Sequence, residues 1–83
     1  MQRFKNTYEM DVQMDVQLNV QLSRPYTTEK SGNKKDLPPE VVFIMHGYDD
    51  ELDKPVESVT SISISEAKCL ILALEDLIEK SYR

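Results

Sequence analysis

The sequence predicts an α+β fold in which a three-stranded antiparallel β-meander carries one C-terminal amphipathic helix packed on one of its faces. Three observations predict it. Apolar and polar residues alternate from residue 4 to residue 22, two later segments are rich in β-branched residues, and residues 64–82 show a helical apolar repeat. The order strand, strand, strand, helix is typical of a two-layer domain.

Length and composition limit the classes of protein to consider. The 83 residues are enough for one domain, spanning 1–83, but for only a small hydrophobic core. Cys69 is the single cysteine, so no intrachain disulfide can form, and the spaced Cys and His pairs of structural zinc sites are absent. The longest apolar runs, 41–45 and 69–74, are far shorter than the roughly 20 residues that span a bilayer. No signal-peptide pattern opens the chain, and we expect a soluble, cytoplasmic protein that needs no cofactor.

The first strand is predicted over about residues 4–22. No Gly or Pro interrupts it, and its apolar residues share the even positions: Phe4, Tyr8, Met10, Val12, Met14, Val16, Leu18, Val20 and Leu22. A straight strand of this length would extend roughly 60 Å, about twice the length of the predicted helix. Either the strand bends, with a possible bulge, and pairs with both later strands, or a second copy of the protein covers its overhang.

The second possibility leads to a homodimer hypothesis. An uncovered apolar strand is prone to self-association, and no inward charge or proline protects this one. Leu72 lies off the apolar side of the predicted helix and is a further candidate contact. The predicted dimer interface comprises Met10, Val12, Met14, Val16 and Leu72.

Residues 23–39 are predicted to form a loop. Pro25 stops the first strand, Gly32 lies in a turn sequence, and Pro38 with Pro39 blocks a helix. Three lysines make the tip of the loop basic: Lys30, Lys34 and Lys35. The loop is either simply solvated or makes contact with a phosphate or an acidic partner.

Two further strands follow. Residues 40–48 are apolar at both even and odd positions, which indicates a strand inside the sheet. Residues 47–55 are predicted to form an acidic turn. In the third strand, about 56–63, the apolar residue Val59 stands at an odd position and Ile62 at an even one. A bulge near residues 58–60 would place both on the same side of the sheet.

The C-terminal helix is predicted over about residues 64–82. Ser63 and Glu66 form a capping-box pattern, with Ser65 as a competing N-cap. The helical spacing places a set of residues, here called the apolar stripe, on one side: Ala67, Leu70, Ile71, Leu74, Leu77, Ile78 and Tyr82.

The sequence offers little for catalysis. The nucleophile-elbow, P-loop, dinucleotide-binding and zinc-protease patterns are absent, and two glycines cannot make a phosphate cradle. His46 is the only histidine, and pairing it with Cys69 would require a strand end to meet the back of the helix. We predict that the protein is not an enzyme and has no catalytic residues.

The acidic turn is the best candidate for a functional surface. Its candidate partner-binding residues are Tyr48, Asp49, Asp50, Glu51 and Asp53. Three interpretations are open: a solvated hairpin turn, a docking surface for a basic protein, and a divalent-cation site with His46 nearby. The spacing does not follow the EF-hand rule, and we assign no metal ligands.

Charge favours a protein partner over nucleic acid. Residues 1–35 carry a net charge of +2 and residues 36–83 a net charge of −7. An acidic half of this kind suits a basic protein surface, or serves only to keep the chain soluble. The polar side of the first strand has neither the basic groove nor the aromatic platform that binds single strands, so we predict no direct nucleic acid binding and no membrane binding.

A small acidic α+β chain with no catalytic motif resembles, in general form, the short phage- or mobile-element-encoded proteins that inhibit host machinery, including anti-restriction and anti-CRISPR proteins. The resemblance involves no motif, so no residue roles follow from it. It implies a non-enzymatic protein-binding inhibitor. The alternatives are an assembly subunit that oligomerises through its long strand and, less favoured, a small metal-dependent enzyme.

Overall fold

A computed structural model describes residues 1–12 and 15–83. Within these residues the chain forms strands and one helix, in this order: β1 (Gln2–Phe4), β2 (Thr7–Val12), β3 (Val16–Ser23), β4 (Tyr26–Thr28), β5 (Lys34–Asp36), β6 (Glu40–Asp49), β7 (Lys54–Ser63) and α1 (Ile64–Lys80).

The α+β class, the antiparallel sheet and the single C-terminal helix are confirmed, but the three-stranded meander is wrong. The main sheet has five strands in the order β1-β2-β3-β6-β7, and β4 and β5 form a separate two-stranded ribbon. Every pairing is antiparallel. As predicted, β6 lies inside the sheet, between β3 and β7.

The strand predicted over residues 4–22 is folded into three strands. Its two reversals contain residues with left-handed backbone angles, Lys5 at φ 51° and Asp15 at φ 60°. Glycine is the residue that most readily adopts such angles, although aspartate tolerates them better than most other residues. The chain therefore turns twice without the Gly or Pro that would announce a turn in the sequence.

The pairing register explains why the alternation of apolar and polar residues runs through the second reversal. Val12 pairs with Val16 and Met10 with Leu18, so even positions face the same side on both β2 and β3. The first reversal differs, because Phe4 pairs with Thr7 and so lies on the opposite side from Tyr8. The prediction that Phe4 belongs to the apolar side is wrong.

The registers of all five strands define one side of the sheet, here called the apolar sheet face. Its members on β2 and β3 are Tyr8, Met10, Val12, Val16, Leu18, Val20 and Leu22, and those on β6 and β7 are Val41, Phe43, Met45, Val56 and Ile62. The other side carries Glu9, Asp11, Gln17, Asn19 and Gln21, together with Val42, Ile44 and Val59.

The pairing of β6 with β7 is continuous from Glu40 opposite Ser63 to Asp49 opposite Lys54, so the bulge predicted near residues 58–60 is absent. Val59 and Ile62 face opposite sides of the sheet in an unbroken register. The change of parity in the sequence reflects a strand with apolar residues on both sides.

The predicted loop at 23–39 contains a small hairpin. Tyr26 pairs with Asp36, and Gly32 at φ 86° closes the turn with its N–H donated to the Glu29 carbonyl over 2.9 Å. The Lys34 ammonium stands 4.4 Å from the centre of the Tyr26 ring, a distance at which a cation–π contact is favourable.

The capping box of α1 is confirmed. The Ser63 hydroxyl accepts the Glu66 N–H at 3.1 Å, and the Glu66 carboxylate accepts the Ser63 N–H at 2.8 Å. The helix ends at Lys80 with Ser81 as its C-cap, slightly before the predicted residue 82. Ser63 is also the last residue of β7, so strand and helix are joined without a loop.

The prediction that the helix packs on one face of the sheet is wrong. Ile64 and Ala67 are half-buried beside the sheet, and every residue from Lys68 to Arg83 is exposed. A reversal between a strand and a helix usually needs a loop of about 2–6 residues. That loop is absent here, and α1 extends from the end of β7 with only its first turn beside the sheet.

Left-handed geometry at Asp15 predicts a specific tolerance to substitution. Asp15→Val should lower the free energy of unfolding by about 1–2 kcal/mol, because a β-branched residue is strained at positive φ. Asp15→Gly should leave it unchanged or raise it slightly. Urea denaturation followed by circular dichroism measures both, and equal stability of the Val variant and the unmodified protein would contradict the assigned turn.

The capping box predicts an acid-sensitive helix start. Hydrogen bonds from the backbone and side chain of Ser63 lower the pKa of Glu66. Because the pKa of Glu66 is lower in the folded state than in the unfolded state, the stabilisation is present at pH values above the unfolded-state pKa of about 4.3. It is lost as pH falls through the folded-state pKa. NMR titration of Glu66 should show this lowered pKa, and Ser63→Ala should raise it towards the ordinary value. Glu66→Gln, which keeps the cap, should remove this part of the acid sensitivity.

Candidate functional site

The acidic turn lies at the tip of the hairpin formed by β6 and β7, the two longest strands in the described part of the chain. Pairing continues to Asp49 opposite Lys54, so the turn proper is 50–53, shorter than the predicted 47–55. The structure brings the predicted residues Tyr48, Asp49, Asp50, Glu51 and Asp53 together at this tip.

Asp49 shapes the turn. Its carboxylate accepts the backbone N–H of Glu51 at 2.9 Å and of Leu52 at 3.1 Å. An aspartate that accepts backbone N–H groups two and three residues ahead mimics a backbone turn, which explains why this residue type suits the position. The Asp49 carboxylate is therefore engaged within the turn.

Asp53 closes the turn from the other side. The Tyr48 hydroxyl donates a hydrogen bond to the Asp53 carboxylate, and Asp53 adopts a left-handed backbone at φ 52°. The adjacent carboxylate disfavours the phenolate, so this hydrogen bond, with a smaller contribution from desolvation, raises the pKa of Tyr48. Two of the predicted partner-binding acids thus hold the turn in shape.

The carboxylates of Asp50 and Glu51 are not engaged within the turn. Within residues 1–12 and 15–83 their carboxylates make no ion pair and accept no hydrogen bond. Leu52 lies beside them with 60 % of its surface exposed, and Tyr48 is 54 % exposed. Sequence reasoning missed Leu52, whose only signal was an apolar residue in an otherwise polar turn.

His46 is engaged on the sheet. Its Nδ1 lies 3.3 Å from a carboxylate oxygen of Glu57, the residue paired with it across β6 and β7. In the part of the chain that the structure describes, no three His, Cys, Asp or Glu side chains are grouped closely enough to hold a metal ion. Cys69 is exposed on α1, beyond the half-buried first turn of the helix.

The candidate dimer-interface residues fall into two separate groups. Met10, Val12 and Val16 lie together on the apolar sheet face, on neighbouring strands. Leu72 lies on α1, is 66 % exposed, and is not brought next to them, because the helix contacts only β6 and β7 among the described strands. Met14 lies outside the described residues.

Comparison with known proteins adds no relative: no family model, no curated protein and no solved structure matches this chain. No helix within residues 1–12 and 15–83 has the length and apolar character needed to cross a membrane.

The contact between Tyr48 and Asp53 can be tested by titration. Asp53→Asn should lower the pKa of Tyr48, because the neutral amide no longer disfavours the phenolate, while asparagine still tolerates the left-handed backbone. Because the contact raises the pKa of Tyr48 in the folded state, its stabilising effect is present at pH values below the unfolded-state pKa of about 10. It is lost as pH rises through the folded-state pKa. NMR of the labelled Tyr48 ring measures it, with Tyr26 as the control, and an unchanged Tyr48 titration in the variant would contradict the contact.

Proposed function

We propose that this chain is a non-enzymatic, acidic protein-binding module that docks its acidic turn on a basic surface of another protein. One observation supports this more than any other. Exposed Tyr48 and Leu52 stand among the unengaged carboxylates of Asp50 and Glu51 at the tip of a long hairpin. Tyrosine is enriched among the side chains that anchor protein interfaces, and the rim around such anchors is polar.

The charge distribution supports a basic partner. The segment that carries the turn, residues 36–83, has a net charge of −7. A concentrated charge of one sign accelerates association with a surface of the opposite sign and disfavours phosphate-rich partners. The proposal therefore includes no direct contact with nucleic acid or with a membrane.

The biological role we propose is that of a phage- or mobile-element-type inhibitor of the anti-restriction or anti-CRISPR kind, acting in the cytoplasm. Its support is the general resemblance of a small, acidic α+β chain with no catalytic motif to such proteins. A basic surface of a host protein, such as one that normally holds nucleic acid, is the kind of target that an acidic turn fits.

We also propose that the protein is a homodimer, with Met10, Val12 and Val16 in the interface. Its support is the exposure of apolar side chains on the sheet and on the helix. The alternative role, an assembly subunit that oligomerises through one long strand, loses its supporting feature, because that strand is divided into β1, β2 and β3.

The docking proposal predicts loss of binding when the turn is neutralised. The test captures the partner from the native host by affinity purification, identifies it by mass spectrometry, and measures its affinity as salt rises. Replacing Asp49, Asp50, Glu51 and Asp53 by Asn, Asn, Gln and Asn should weaken binding at least about 10-fold and flatten the salt dependence. The amides still serve the turn, since asparagine accepts hydrogen bonds and tolerates positive φ.

A matched control removes the same charge elsewhere. Changing Glu9, Glu29, Asp36 and Glu75 to the corresponding amides alters the net charge equally but leaves the acidic turn intact. The control variant should keep most of the affinity. Equal weakening by both variants would show that only total charge matters, and unaltered binding by the turn variant would reject the docking surface.

A further inference from the structure

The chain exposes far more surface than a compact protein of its size. Its accessible surface is 7350 Å², whereas a compact 9.6 kDa monomer exposes about 5,100 Å². The radius of gyration is 16.7 Å, against about 12 Å for a compact domain of 83 residues. The excess of roughly 2,300 Å² is nearly three times the 800 Å² or so that each partner of a stable complex buries.

Two apolar surfaces contribute to this exposure. On the sheet, Met45 and Val56 of the apolar sheet face are exposed, and no side chain in the described part of the chain is fully buried. On the helix, the apolar stripe is exposed from Leu70 onward, with Leu77 61 % exposed. Each surface lacks the cover that the other could provide.

The two surfaces of one chain are apart in this structure. Ser63 ends β7 and caps α1 at once, so the helix leaves the sheet without the loop that a reversal requires. In proteins most of the stability of a helix comes from packing of its apolar side, and in α1 only Ile64 and Ala67 are half-buried. The rest of the apolar stripe is free to pack against another molecule.

The dimensions and shape of the two surfaces match. The helix is about 26 Å long, and five paired strands extend roughly 19 Å between the outermost backbones, so one helix can cross the sheet. The apolar sheet face also has a shallow hollow at Gly47, between Val16, Met45 and Val56. A large side chain of a crossing helix could fill that hollow.

We propose that the occupant is a second copy of this chain, bound reciprocally, with the apolar stripe of each helix packed across the apolar sheet face of its partner. A two-fold dimer of this form covers both surfaces of both chains at once. A compact dimer of twice the mass would expose about 8,400 Å², so roughly 6,000 Å² would be buried, as in obligate dimers.

This inference rests on the homodimer of the proposed function and not on the acidic turn. It also changes the part assigned to the helix. The apolar stripe, centred near Leu74, forms the contact, while Leu72 on the back of the helix faces solvent.

Disulfide trapping in a Cys69→Ser background tests the geometry. The chain carrying both Leu74→Cys and Met45→Cys should form a covalent dimer under mild oxidation, with mass spectrometry showing a link between positions 74 and 45. The chain carrying Leu74→Cys with Val59→Cys is the matched control, because Val59 lies on the other side of the sheet. Light scattering should give twice 9.6 kDa for the unmodified protein at micromolar concentration.

The outcomes separate the inference from the homodimer. A monomer by light scattering overturns both. A dimer whose Leu74→Cys chains link to each other, or whose control pair links equally well, overturns the helix-on-sheet geometry alone. A link between positions 74 and 45 within one chain, at monomer mass, shows that the helix covers its own sheet and also overturns the inference.

A second pair of variants does not depend on oxidation. Leu74→Asp should raise the dimer dissociation constant by about 100-fold or more, because it places a charge on the apolar sheet face of the partner. Leu72→Asp, on the same helix but off the stripe, should change it less than about threefold. Helical circular dichroism should fall as the protein is diluted through dissociation, and equal effects of the two substitutions would contradict the assigned stripe.

Discussion

The junction at Ser63 is the constraint on which the rest of the structure depends. One residue ends β7 by pairing with Glu40 and begins α1 through its hydroxyl and its N–H. A loop of a few residues would let the helix fall back on the sheet and close a two-layer core. Without it, the capping box fixes the helix at the end of the strand, and the chain keeps two apolar surfaces apart.

The sheet is consequently held together by its backbone ladders more than by a core. β6 contributes most to these ladders, because it pairs with β7 along one edge and with β3 along the other. The side chains of Val41, Phe43 and Ile44 are half-buried by their neighbours in the sheet. Backbone hydrogen bonds contribute modest net free energy, and sheets usually need a covered apolar face to be stable. A cover for that face would therefore stabilise the fold, and the proposed dimer would supply one.

The sequence predicts well the features that depend on local patterns. Alternation in β2 and β3, the β-branched run in β6, and the pairing of Ser63 with Glu66 are each readable within a few residues. It fails where the chain turns without glycine or proline, as at Lys5 and Asp15, which both have positive φ. The register that keeps even positions on one side hides the second turn completely.

In the candidate site, too, the sequence predicts the local pattern but not the three-dimensional role of each residue. An acidic turn is visible as a run of carboxylates, but the roles of its members depend on geometry. Asp49 and Asp53 are engaged inside the turn, while Asp50 and Glu51 are not and Leu52 is exposed. A sequence cannot distinguish these roles, because the same residue types serve both.

The proposed dimer and the proposed docking surface use different parts of the molecule. The acidic turn lies at the end of the β6–β7 hairpin away from Ser63, whereas the proposed dimer forms through the sheet face and the helix. A reciprocal dimer therefore presents two copies of the turn, related by the two-fold axis. Binding of both turns to a target with two basic surfaces would gain affinity by effective concentration, without any new contact. A weakly binding turn on each chain is then sufficient for tight binding by the pair, provided that the spacing of the two turns matches the target.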